Sequence, residues 1–194
     1  MRLGVPSGHH SPEGFGDVLR EVWLSPGKFF GSLNPEGAPV RPALFAAFVL
    51  YLNLILEELL QAAWRVEFNY GLLYAALPGL VVSLVLAPLL VAGLTALVLT
   101  VLDGAPSRRK FGPVFRALGY TTAIGIVFWI PYAPLVALPY GLYVATVAVK
   151  EALLISWGRA AAATLAPLGA VLLILLLLTG PEEALRLLIN PPGE

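Results

Sequence analysis

The sequence contains no cysteine and only two histidines, and these scarcities exclude several kinds of site. Without cysteine the chain has no disulfide, no thiolate nucleophile and no thiolate ligand for zinc. The histidines, His9 and His10, are adjacent in "PSGHHSPEG", a stretch more typical of a disordered terminus than of a metal site. We therefore expect no metal site, no cofactor, no catalytic residue and no enzymatic activity.

Charged residues are the second scarcity, because they make up 12% of the chain, whereas a soluble domain has about 25%. Apolar residues make up 58%, and the mean hydropathy is +0.83. A soluble domain of this composition would lack the charged surface it needs, so composition indicates a membrane protein. The formal net charge of zero also argues against a nucleic-acid-binding surface.

Long apolar runs predict an all-α, polytopic membrane bundle. Crossing about 30 Å of hydrocarbon takes about 20 apolar residues in a helix, and the chain offers five such runs. The predicted transmembrane helices are 43–63, 78–102, 114–130, 135–155 and 160–179. Around this transmembrane domain (41–180) we expect a disordered N-terminus (1–14), an amphipathic interfacial segment (15–40) and a short C-terminal tail (181–194).

Prolines modify two of these spans. The run Leu72–Leu102 is too long for one span, so its part before Pro78 is expected near the interface or in a kinked turn. Pro88 is expected to kink the same helix. Three prolines in "IPYAPLVALP" (Ile130–Pro139) predict a connection that is not regular helix, with the fourth span starting near Leu135.

The placement of lysine and arginine predicts the orientation in the membrane. With five spans and a cytoplasmic N-terminus, ten of the twelve basic residues fall inside, and only Arg65 and Arg186 fall outside. The C-terminus is then predicted to lie outside. Aromatic residues flank the spans at the predicted interfaces, with Trp23 on the inner side and Tyr132 and Tyr140 on the outer side.

Apolar residues before the first span recur at the spacing of one helical face, and they are Phe15, Val18, Leu19, Val22 and Trp23. Ser25-Pro26 begins a second short helix, in which Phe29 and Phe30 share an apolar side and Lys28 reaches for lipid phosphate. The interfacial interpretation makes Trp23, Phe29 and Phe30 anchors at the headgroups. The alternative is a helix that caps the bundle in the cytosol and packs its apolar face on loops.

Polar residues inside the predicted spans are candidate functional residues, because charge in a bilayer is costly. They form an outer set in the first span and an inner set in the fourth, namely Asn53, Glu57 and Glu58, and Lys150 and Glu151. The functional interpretation is an ion- or proton-responsive site, with Asn53 bonded to a protonated Glu57. The structural interpretation has the glutamates at the outer interface, Lys150 snorkelling, and Glu151 paired with Arg116 or Arg159.

The loop between the second and third predicted spans carries three adjacent cations, Arg108, Arg109 and Lys110. Each cation contributes about 1 kcal/mol if it contacts anionic headgroups. The alternative is that the three residues act only as topology determinants.

Three stretches have a motif-like character, "VWLSPGKFF", "RRKFGPVFRALGY" and "LYVATVAVKEALLISWGRA". They resemble the Yip family of Ypt/Rab-interacting, five-pass membrane proteins, and in particular its prokaryotic members. The resemblance implies five spans, a cytoplasmic N-terminus and a place in the plasma membrane of a prokaryote. Eukaryotic relatives interact with small GTPases, but only about 40 residues precede the first predicted span here. GTPase binding is therefore not carried over.

Two functions remain open at this point. The first is a non-enzymatic role in membrane organisation or scaffolding. The partner is then the lipid bilayer, and contacts between helices could assemble several copies of the chain into a homo-oligomer. The second is a small oligomeric transporter or ion channel that uses Glu57, Glu58 and Lys150 in a polar path. The proline-broken connection after Ile130 favours the second function, because broken helices often line cavities in transporters.

Overall fold

A computed structural model describes residues 14–34, 36–65, 71–167 and 169. These residues form helices and the short connections between them, so the all-α prediction is confirmed for this part of the chain. The elements are α1 (Phe15–Leu24), α2 (Pro26–Ser32), α3 (Val40–Arg65), α4 (Gly71–Asp103), α5 (Arg108–Thr121), a 3₁₀ helix (Thr122–Val127) and α6 (Ala133–Leu153). A further helix, α7, covers residues 157–167. The predicted disordered N-terminus up to residue 13, the second half of the fifth predicted span and the C-terminal tail lie outside the described residues.

Three of the described helices are long and apolar enough to cross a membrane. Their membrane-length segments are Val40–Leu60 in α3, Ala76–Asp103 in α4 and Ala133–Leu153 in α6. These segments match the first, second and fourth predicted spans. Helix α5 has only 14 residues, which is shorter than the length that a single helix needs to cross hydrocarbon.

Helix α4 continues through both of its prolines. It begins at Gly71 and contains Pro78 and Pro88 in its interior, so the kinked turn predicted as one alternative before Pro78 is wrong, whereas the other alternative, a position near the interface, stays a prediction. A proline inside a helix removes one backbone hydrogen bond. Membrane helices tolerate this loss because neighbouring groups satisfy the freed carbonyl.

The third predicted span is two elements rather than one continuous helix over 114–130. The α-helical part starts at Arg108, earlier than predicted, and gives way to the 3₁₀ helix at Thr122. The hydroxyl of Thr121 donates to Leu118 O at 2.7 Å, and that of Thr122 donates to Gly119 O at 2.6 Å. Hydroxyl groups bonded to the preceding turn compete with the backbone ladder, and 3₁₀ turns are common at α-helix ends.

The connection before α6 is shorter than the proline pattern predicted. Helix α6 starts at Ala133, directly after Tyr132, which adopts a left-handed conformation with φ of 66°. Pro134 lies in the first turn, where its missing N–H is not needed, and Pro139 lies inside the helix. The start predicted near Leu135 is therefore close to the observed one, whereas the irregular segment covers only residues 128–132.

The helices form two buried clusters on either side of α3 and α5. Helix α4 packs on α3 and α5, and small residues such as Ala46, Ala47 and Ala87 are buried at that contact. Helices α1 and α2 pack on the other side, against the 3₁₀ helix and α6. The approach of α3 to α5 is close, since a Cβ built on Gly119 would lie 2.8 Å from Pro42 Cβ. Small residues permit such approaches between membrane helices.

Candidate functional site

Helices α1 and α2 form a hairpin, here called the N-terminal hairpin (Phe15–Ser32), whose apolar side is buried in the bundle. Val18 and Val22 of α1 are buried, and the rings of Phe29 and Phe30 in α2 are only 1% and 3% exposed. Phe29 meets Tyr120 of α5 edge-on, with ring centroids 5.5 Å apart. The hairpin is therefore part of the protein core.

Trp23, at the end of α1, is the main polar connection between the hairpin and the bundle. Its indole Nε1 donates to the carbonyl oxygen of Ala123 in the 3₁₀ helix at 3.1 Å. Its ring stacks on Tyr140 of α6 with centroids 5.5 Å apart. The Tyr140 hydroxyl donates back to Trp23 O at 2.5 Å. Two hydrogen bonds and one ring contact thus fix α1 against two different elements.

These contacts fix the position of α1 along the long axis of the bundle. Tyr140 lies about 20 Å from the Leu153 end of α6 at 1.5 Å per residue, within the membrane-length segment of that helix. At the start of α1, the ring of Phe15 contacts Phe45, which also lies within a membrane-length segment. Trp23 and Tyr140 were predicted at opposite interfaces, and their stacking contradicts that assignment. The pattern of one apolar helical face could not reveal that α1 lies alongside the bundle.

The predicted headgroup anchors are accordingly corrected. Phe29 and Phe30 are buried inside the protein, so the prediction that their rings contact headgroups is wrong. Trp23 is partly exposed, but the N–H that an interfacial anchor would present to headgroups is bonded to Ala123 instead. The alternative of a packed helix describes these contacts better, although the hairpin packs on helices rather than on loops.

The outer side of the hairpin is polar. Asp17, Arg20 and Lys28 are exposed there, and they line a groove of about 240 Å³ together with Glu21 and neighbouring residues of both helices. Leu24 is the apolar exception on this polar side, and it is 72% exposed. Lys28 remains a candidate for lipid phosphate, because its ammonium group lies on this outer side.

The outer polar set of the first span takes part in packing. The Asn53 amide donates to Val49 O at 2.9 Å, and its Oδ1 accepts from the backbone N–H of Trp129 at 3.0 Å. Asn53 therefore joins α3 to the segment after the 3₁₀ helix. Glu57 is exposed on α3, and Glu58 is half-buried.

The inner polar set forms an ion pair of its own. Lys150 Nζ contacts Glu151 Oε1, and both side chains are partly exposed. The predicted pairing of Glu151 with Arg116 or Arg159 is therefore wrong. Adjacent residues diverge by about 100° around a helix, and these two long side chains bridge that angle near the end of α6.

Arg116 is a buried charged residue whose position the sequence did not predict, because it was treated only as an inner positive charge and as one possible partner of Glu151. Its side chain is 7% exposed within α5. Its Nη1 donates to Gly37 O in the connection between α2 and α3. Its Nη2 is buried and has no hydrogen-bond partner in the described ranges. The signal available in the sequence was one arginine flanked by apolar residues in "VFRALG".

A cavity of about 180 Å³ lies beside Arg116, between α2, α5 and the end of α6. Most of its wall is apolar, from residues such as Phe30, Leu33 and Pro113. Arg116, Glu151 and Asn34 are its polar lining residues. The cavity therefore joins the buried arginine to the Lys150–Glu151 pair.

The three cations predicted in the loop are exposed, and they lie in the first turn of α5 rather than in a loop. Lys110 Nζ pairs with Asp103 at 2.9 Å across the turn between α4 and α5. Arg108 and Arg109 are exposed in the first turn of α5. Contact of these cations with lipid headgroups remains a prediction. Over the described ranges, no cluster of three or more acidic or histidine side chains is placed to hold a metal ion.

Comparison with known proteins identifies the family of the chain. No curated protein and no solved structure matches it. The family model described as the Yip1 domain matches residues 20–179, a range that extends from α1 past the described part of α7. Together with three membrane-length helices, this match indicates an integral membrane protein, and the chain belongs to the Yip1 domain family.

Proposed function

We propose that the chain is a non-enzymatic membrane protein that organises the bilayer by shaping the leaflet around its N-terminal hairpin. The observation that carries the proposal is the contact of Trp23 with Tyr140, within the membrane-length segment of α6, in a hairpin whose other side is charged. We further propose a prokaryotic plasma membrane and a cytoplasmic N-terminus, on the basis of the lysine and arginine asymmetry and the family resemblance.

Charge is costly in hydrocarbon, and the hairpin carries charge on its outer side. A charged side chain in the middle of a membrane helix costs about 2.5–3.5 kcal/mol, and snorkelling or local bilayer thinning lowers that cost. Arg20 and Lys28 would draw headgroups and water toward the hairpin. Helix α4, which packs on other faces of α3 and α5, exposes apolar side chains from Leu77 to Val101. A thinned leaflet near the hairpin and a normal one near α4 would bend the membrane.

The test is vesicle shape after reconstitution of the full chain. We expect vesicles with the wild-type protein to be smaller, in cryo-electron micrographs, than protein-free vesicles of the same anionic lipid. The double variant Arg20→Leu/Lys28→Leu should return the diameters to the protein-free value, because the charges that draw in headgroups are gone. The control Arg108→Leu/Arg109→Leu removes the same charge at the exposed start of α5 and should behave as wild type. Equal diameters for all four samples would refute the shaping role.

Transport is the competing function, and the polar contacts favour shaping over it. Asn53 is bonded to the Trp129 backbone, and Thr146 and Thr164 bond each other at 2.8 Å between α6 and α7. Asn53 thus joins α3 to the segment after the 3₁₀ helix, the two threonines join α6 to α7, and neither contact needs a solute as partner. We therefore expect proteoliposomes to show no ion flux above protein-free vesicles, and Glu57→Gln or Lys150→Leu to change nothing. A flux that either substitution abolishes would establish the transporter instead.

A further inference from the structure

One nitrogen of the buried Arg116 guanidinium, Nη2, has no hydrogen-bond acceptor within the described part of the chain, and packing leaves this donor unexplained. Buried polar atoms in folded proteins nearly always have a hydrogen-bond partner. Nη2 of Arg116 has none among the residues that the structure describes, although Nη1 of the same group is bonded to Gly37 O. A buried cation with an unused donor is costly, so the arrangement favours a group from outside the chain.

The cavity beside Arg116 can hold such a group. It has about 180 Å³ of space and is partly open, and Arg116 forms part of its wall. Its charged lining residues are Arg116 and Glu151, and Glu151 is already paired with Lys150. One positive charge is therefore uncompensated, which selects an anion.

We propose that this cavity binds a phosphate group, with the guanidinium of Arg116 as its main donor. Guanidinium presents a planar set of donors that matches phosphate oxygens, and it is the group preferred for phosphate recognition. Nη2 itself is buried, so a phosphate oxygen that enters the cavity beside Arg116 supplies the missing acceptor once the arginine side chain shifts slightly toward it. The apolar lining from Phe30, Leu33 and Ala152 suits the glycerol and first methylenes of a phospholipid, and the same donor would also take free phosphate.

The proposal is independent of the shaping role, because the cavity lies between α2, α5 and α6 rather than on the outer side of the hairpin. Vesicle shape reports on Arg20 and Lys28. Binding at the cavity reports on Arg116. Either result can fail without the other.

The experiment is ligand binding to the full-length protein in detergent, measured by native mass spectrometry. The probes are short-chain phosphatidylglycerol, a diacylglycerol with the same chains but no phosphate, and inorganic phosphate as competitor. We expect saturable binding of phosphatidylglycerol and none of the diacylglycerol. Arg116→Gln should weaken binding about tenfold or more, since a charged hydrogen bond is lost. The control Arg159→Gln, at an exposed arginine of α7, should bind as wild type.

A second variant tests the site without altering the arginine. Gly31 of α2 is exposed, and a Cβ built on it would lie 3.7 Å from Glu151 Oε2, in ordinary contact. Gly31→Leu should fill the cavity and block phosphatidylglycerol while leaving the melting temperature near wild type. If Arg116→Gln does not fold, phosphatidylglycerol binding by Gly31→Leu still tests whether the cavity is the binding site.

The competitor separates the two sources of phosphate. Displacement of the lipid by inorganic phosphate identifies a site for the free anion, and no displacement identifies a site for the lipid headgroup. The proposal is overturned if neither ligand binds, if diacylglycerol binds as well as phosphatidylglycerol, or if Gly31→Leu and Arg116→Gln both bind as wild type.

Discussion

Gly119→Val is expected to destabilise the bundle more than any other single glycine substitution proposed for α5. A Cβ at position 119 would lie 2.8 Å from Pro42 Cβ and 3.1 Å from Pro42 O. One of these neighbours is a backbone atom, and the other belongs to a rigid ring, so neither can rotate away. Overpacking of a tight contact costs about 1–3 kcal/mol, and we expect the upper end, about 3 kcal/mol, in the free energy of unfolding.

The control for Gly119 lies on the same helix. Gly112 has no atom within 4 Å of an added Cβ, so Gly112→Val changes helix propensity without a steric clash. Unfolding of both variants in mixed detergent micelles, followed by circular dichroism, measures the difference. Equal unfolding free energies would mean that α3 and α5 do not approach as closely as described.

Phe29→Ala is expected to cost about 3–5 kcal/mol, the range for removing a large aromatic side chain from a core. The ring is 1% exposed and meets both Phe30 and Tyr120 edge-on, with centroids 5.0 Å and 5.5 Å apart. Truncation leaves a cavity between α2 and α5 and removes both ring contacts. The loss should appear as a lower melting temperature of the whole protein.

Leu24→Ala is the matched control, because Leu24 is an apolar residue of the same hairpin that is 72% exposed. It should leave the melting temperature near wild type. If Phe29 were a headgroup anchor, both variants would melt like wild type in detergent, since the anchor energy would be absent there. That pair of results would contradict the buried hairpin.

The long spans could be predicted because their signal is local. The apolar runs that became α3, α4 and α6 are each long enough to indicate a membrane helix without knowledge of their neighbours. The prolines misled the prediction in α4, because their cost depends on which neighbouring groups satisfy the freed carbonyl at Pro78. The same is true of the 3₁₀ helix after Thr121, whose hydroxyl contacts are not visible in an apolar pattern.

The site was less predictable than the spans, because its contacts are long-range. The apolar face of α1 is evident from the spacing of Val18 and Val22, but a periodic face does not state whether it meets lipid or protein. The contact with Tyr140 shows that Trp23 packs on protein, but Tyr140 is distant in sequence and was predicted on the other side of the membrane. The role proposed for Arg116 likewise depends on its contact with Gly37 and on the cavity beside it, and neither is visible in the sequence.

Photo-cross-linking in native membranes tests most directly whether the N-terminal hairpin packs against the bundle. With benzoylphenylalanine in place of Trp23, the account predicts an intramolecular adduct on α6 near Tyr140 or on the 3₁₀ helix near Ala123, identified by mass spectrometry. Replacement of Leu24 in the same way serves as the exposed control and should give lipid or solvent products. Adducts from position 23 that are found only on lipid would contradict the account.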